Sequence, residues 1–171
     1  FRLADLYVKA SEFEKASELY SFLLNTKPNR RLELVSNIRL ALLKNGTITE
    51  YVSGSDYDRY ELLKILNLKS YNYSSIPLMI DLSQSLNEDY QIFKSHFVND
   101  IEVKDEISSY AVLKLSEYML QNFDFINARK MSGISLRYKD NQNLLRLAEG
   151  NFDKSIWFFK NADVVLSETN F

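Results

Sequence analysis

The chain has no cysteine, and His96 is its single histidine. Without a thiol there is no disulfide framework, no thiolate nucleophile, no Fe–S cluster and no cysteine-type zinc site. One imidazole excludes every motif that needs two, such as His-Glu-x-x-His. Glycine and proline are scarce too, four and two among 171 residues. A β-sandwich or barrel punctuates its chain with such residues about every 8–12 positions, so an all-β fold is disfavoured. Charge is nearly balanced: 21 Lys and Arg against 23 Asp and Glu leave a net −2. With no basic stripe to neutralise phosphates, nucleic acid is not an expected partner. No apolar run reaches the roughly 18 residues of a membrane-spanning helix. Hydrophobic residues make up 46% of the chain, which excludes intrinsic disorder.

The length suits one domain, 1–171, or a short array of repeats. The chain opens on Phe1, with no charged-then-apolar leader, and so reads as part of a longer chain or complex. The missing cysteine tilts localisation toward export without deciding it against the cytoplasm.

What is present is helical periodicity. Leu3, Leu6, Tyr7 and Ala10 fall at helix spacing, and so do Phe13, Ala16, Leu19, Tyr20 and Leu23. The short junction between them predicts an antiparallel pair. Pro28 ends the second run, Asn29 caps a third through Leu42 and Leu43, and Asn45-Gly46 closes it. Residues 47–56 read as a loop, with Asp56 capping the helix after it. Pro77 suits a first helical turn. Further helices are expected over 87–97, 102–121, 125–138, 141–149 and 153–166. The sum is an all-α chain of nine or ten helices.

One repeat unit stands out. Leu3-Ala4, Tyr7, Ala16, Tyr20 and Pro28 reproduce a spacing of small and aromatic residues that resembles the tetratricopeptide repeat family, whose period is about 34 residues. Asp124-Phe125-Ile126-Asn127-Ala128 and Gly150-Asn151-Phe152-Asp153-Lys154-Ser155 repeat the junction, and Asn72-Tyr73 matches its start. Clear repeats are thus expected near 1–30 and 109–167, with a degenerate middle at 47–108. The resemblance implies antiparallel helical hairpins stacked into a right-handed superhelix. It also implies a non-catalytic scaffold that holds a protein or peptide in its concave groove.

The first helix of each hairpin would line that groove. The binding residues expected there are Asp5, Val8 and Lys9, then Val35, Arg39, Leu42 and Leu43 by period, then Tyr110, Leu113, Glu117 and Gln121. Some family members grip a terminal carboxylate with Lys and Asn. Here Asp5 stands where an Asn is expected and Ser36 where the next would be, beside Asn37, which argues against such a clamp.

Other constellations are weaker. His96 with Asp100 lacks a nucleophile or metal partner and reads as a surface histidine. Glu12, Glu14 and Glu18 read as a solvated face among Lys9 and Lys15. Tyr51, Tyr57, Tyr60, Tyr71 and Tyr73 crowd 23 residues. They could serve an extracytoplasmic domain as a platform for a glycan or small ligand over 51–73, or simply pack the core. No catalytic residue, metal or cofactor is implied, and the chain is not expected to be an enzyme.

Overall fold

The computed structural model describes residues 1–69, 72–97 and 101–135. The described residues form nine α-helices and no strand, so the described part of the chain is all-α. The expected helices at 141–149 and 153–166 lie outside them, as does the second half of the 109–167 repeat. The chain divides into two compact units, Phe1–Phe97 and Val98–Phe171, the second described over 101–135.

The first unit opens with α1 (Arg2–Lys9), α2 (Phe13–Asn25) and α3 (Arg30–Lys44). Ala4 and Ala16 are fully buried where α1 and α2 cross, because only a methyl group fits at so close an approach. Tyr20 fills the space beside them and is also fully buried. Asn29 caps α3 by accepting from the Leu32 N–H at 3.0 Å. Residues 47–56 are not simply a loop: α4 (Ile48–Ser53) occupies six of them. Its β-branched sequence has little helix propensity, but Ile48 and Tyr51, one turn apart, are both buried, and that burial decides the conformation. The cap of α5 (Asp56–Lys69) is Ser55 rather than Asp56. The Ser55 N–H and hydroxyl both donate to Asp58 Oδ2, at 2.9 and 2.7 Å. That bonding holds the Asp58 carboxyl below its ordinary pKa. Then come α6 (Ser75–Ser85), with Pro77 in its first turn, and α7 (Tyr90–Ser95). Helix α1 packs on α2 and α4, α3 on α2, α4 and α6, and α5 on α4 and α6.

The second unit is described as a hairpin of α8 (Glu106–Gln121) and α9 (Phe125–Ser135). Helix α8 begins at Glu106 rather than near 102, because Asp105 and Ser108 close a reciprocal capping box there. Small side chains bring the two helices together. The Ser116 hydroxyl donates to the Ala128 carbonyl at 2.9 Å and meets the Ser132 hydroxyl at 2.6 Å.

Four helices end in one and the same motif. Ser11, Gly46, Asn87 and Phe123 have φ of +60°, +72°, +52° and +59° after α1, α3, α6 and α8. In each case the next N–H reaches back five residues: Glu12 to Tyr7, Thr47 to Leu42, Glu88 to Ser83 and Asp124 to Met119, at 2.9–3.0 Å. This left-handed closure satisfies the last carbonyls of the helix and reverses the chain. The four positions stand 35, 41 and 36 residues apart. The third lies at Asn87, not at the Asn72-Tyr73 junction expected from sequence. Helix α2 differs. Lys27 has φ +51°, and Pro28 next to it has no N–H with which to close the motif.

Candidate functional site

The residues expected to line a groove separate into core and surface. Val8, Leu42 and Leu113 are fully or nearly fully buried. They belong to the apolar core and present nothing to a partner. On a helix the core stripe and the stripe beside it lie about one residue apart, too little for a repeat period to separate them. Ser36, weighed as a clamp position, is fully buried as well.

Asp5 and Arg39 are brought together. Arg39 Nε lies 3.4 Å from Asp5 Oδ1, and the Tyr20 hydroxyl donates to the same oxygen. The guanidinium lies over the Tyr51 ring, 4.8 Å from its centroid, and over the Phe1 ring at 5.6 Å. Arg39 is 9% exposed, and its Nε and Nη1 find no hydrogen-bond acceptor. The cation is therefore held by one carboxylate and two ring faces rather than by a bidentate fork. Burial raises the Tyr20 pKa, and the bond to Asp5 raises it further. Burial also raises that of Tyr51, with Arg39 opposing. Both phenols thus stay protonated at neutral pH; Tyr20 acts as a donor and Tyr51 as a ring face.

Around this pair the surface is mixed. Lys9, one turn beyond Asp5, is exposed, while Val35 and Leu43, on either side of Arg39, are half-buried. In the second unit, Tyr110, Lys114, Glu117 and Gln121 form a stripe along α8. Lys114 pairs with Glu117 at 2.7 Å and lies 5.7 Å from the Tyr110 ring centroid. Sequence spacing placed Leu113 in this stripe, and the structure puts Lys114 there instead.

The tyrosines of 51–73 split as well. Tyr51 and Tyr60 are core residues, Tyr57 is exposed, Tyr73 is half-buried and Tyr71 lies outside the described residues. The Tyr60 hydroxyl donates to Glu88, and Lys64 sits 5.3 Å from the Tyr60 ring centroid and 2.8 Å from Glu61. His96 ends α7 beside this group. It is half-buried, and its Nε2 is buried without a partner, so it is not the plain surface histidine expected. Burial lowers its pKa, Lys64 lowers it further, and Glu88 and Glu61 oppose. Asp100 lies outside the described residues.

Sequence reasoning missed the buried bonding of Asn67. Its amide donates to the Leu63 carbonyl at 3.1 Å and to Ser75 Oγ at 2.6 Å, tying the end of α5 to the start of α6. A lone Asn inside the apolar run Ile65-Leu66-Asn67-Leu68 was the available signal. Among the described residues no group of His, Asp and Glu is assembled to hold a metal, and no helix is long and apolar enough to cross a membrane. Compared with protein families, curated proteins and solved structures, the chain matches none.

Proposed function

We propose that the chain is a non-catalytic interaction module of the tetratricopeptide type, whose stacked helical hairpins hold a protein or peptide segment. The observation that supports it best is the recurring left-handed closure at Ser11, Gly46, Asn87 and Phe123. Two of its three intervals, 35 and 36 residues, lie close to the family period of about 34, and the middle one, 41, is longer. In such an array the first helices of successive hairpins, here α1 and α3, offer the binding surface. That surface carries the exposed Lys9 and the half-buried Asp5, Val35 and Leu43, while Arg39, buried behind Asp5, holds that carboxylate in place and is not itself presented. Apolar rims around fixed charges of both signs suit an extended segment of mixed composition.

Selection from a displayed random-peptide library, followed by calorimetric titration of the enriched peptide, tests this. Lys9→Glu combined with Val35→Ser, both outside the buried core, should weaken the peptide by at least about tenfold with helicity unchanged. Undiminished binding by that variant, or no enrichment at all, would remove the reading.

A further inference from the structure

Helix α8 hands over to α9 through a turn centred on Phe123, at φ +59°. The equivalent turns place Ser11, Gly46 and Asn87 there. Glycine and asparagine tolerate this conformation, and a bulky side chain is strained in it. The Phe123 ring gains nothing from burial in return: the residue is 77% exposed. Ile126, in the first turn of α9, is 73% exposed. Phe125 stands edge-on to Phe123 at 6.2 Å. Strain at an exposed aromatic points to use rather than to packing.

The surroundings indicate the kind of surface it meets. Residues 121–131 carry Arg129 and Lys130 against Asp124 alone, a net +1 in a chain of net −2. Both basic residues are exposed and stand three and four positions after Ile126, on its face of α9. Asp124 accepts from the Asn127 backbone N–H at 3.3 Å and from its side-chain amide at 2.9 Å. The N–H groups of the turn are satisfied internally: Asn122 by Tyr118, Phe123 by Leu120 and Asp124 by Met119. These three donors would not be orphaned on leaving water. Two protruding side chains are far short of the roughly 800 Å² per partner of a stable protein interface. At a lipid boundary a small apolar area and attraction to anionic headgroups add, giving weak and reversible attachment.

We propose that the tip of the α8–α9 hairpin is a reversible attachment point for an anionic lipid surface. Phe123 and Ile126 enter the headgroup–acyl boundary, and Arg129 and Lys130 rest on lipid phosphates.

Co-sedimentation of the 171-residue chain with phosphatidylcholine vesicles, with and without phosphatidylglycerol, tests it. Binding should be roughly 30-fold tighter to the anionic vesicles and should weaken with salt. Phe123→Asn relieves the backbone, so its thermal midpoint should hold or rise while vesicle binding is lost. Arg129→Gln with Lys130→Gln should erase the preference for phosphatidylglycerol. Absence of binding to either vesicle, or full binding by Phe123→Asn, overturns the proposal. So does a concentration-dependent dimer that Phe123→Asn abolishes without any vesicle binding, which would assign the tip to a second copy.

Discussion

Asp5 on α1 and Arg39 on α3 form an ion pair at 3.4 Å that lacks hydrogen-bond geometry. The same carboxylate accepts from Tyr20. Arg39 thus depends on a single countercharge. Breaking one side of a fully buried pair costs about 3–5 kcal/mol. Side-chain exposures of 11% and 23% bring the expected cost of Asp5→Asn to about 2 kcal/mol. Adding Arg39→Met, which leaves a polarizable chain between the two rings, should recover part of that loss. Denaturant unfolding of the single and double variants decides this. A double variant as unstable as the sum of the singles would mean that the two residues are not coupled.

Gly54 joins α4 to α5 at close quarters. A β-carbon there would stand 2.6 Å from the Glu50 carbonyl oxygen and 2.9 Å from Asp58 Cβ. Neither obstacle is a flexible chain end, so Gly54→Ala should destabilise by about 1–3 kcal/mol. Gly133, inside α9, has nothing within 4 Å of such an atom. Gly133→Ala should therefore stabilise by about 0.5–1 kcal/mol through helix propensity alone. Thermal unfolding of both variants gives the contrast, and shifts of the same sign would contradict the packing described.

Much of this architecture could be read beforehand. Helices α1 to α3 were legible because apolar residues recur at helix spacing, and Ala16, Tyr20, Leu34, Ile38 and Leu42 are indeed buried. In α1, however, the buried residues are Ala4 and Val8, while Leu3 and Leu6 of the expected run are exposed. Pro28, Asn29 and Gly46 punctuated them. Asp5 and Arg39 were both expected on the same side of α1 and α3, and the structure joins them in an ion pair that the sequence pattern did not suggest. Helix α4 was hidden because its local propensity contradicts the burial of Ile48 and Tyr51. The middle, 47–108, reads as degenerate because the sequence pattern follows aromatic residues at the junctions. The backbone instead repeats at the left-handed closure, where Ser, Gly, Asn and Phe share one conformation and no common side chain. The tyrosine cluster misled for a related reason. Neighbours in sequence on α4 and α5 face opposite ways, and only Tyr57 among those described is exposed.

The α8–α9 contact rests on hydroxyls. Ser116 donates to the Ala128 carbonyl at 2.9 Å and meets Ser132 at 2.6 Å, both serines being fully buried. Ser116→Ala leaves the Ser132 hydroxyl without that partner and should cost about 1 kcal/mol. Ser116→Ala with Ser132→Ala removes both buried hydroxyls. The double variant should cost less than the two singles added together. Chemical denaturation measures the cycle, and strict additivity would mean that the 2.6 Å contact carries no energy of its own.

His96 gives the fold a pH dependence with a definite sign. Its Nε2 is buried without a partner. Burial, then Lys64, lowers its pKa below the ordinary 6.5, with Glu88 and Glu61 opposing. Between that lowered value and about 6.5 the unfolded chain binds more protons than the folded one. The contribution of His96 is therefore fully present above about pH 6.5. It declines as pH falls below that point and levels off under the folded value. Asp58 and Glu102, whose pKa values hydrogen bonds lower, act at lower pH. Their stabilisation is lost as pH falls through the carboxylate range, so the two windows are separable. The thermal midpoint should fall from pH 7 to pH 5 in the parent chain. His96→Gln, which cannot take up a proton, should flatten that slope and leave the drop near pH 4 in place. An equal slope in the variant between pH 7 and 5 would show that the Nε2 environment does not set the titration.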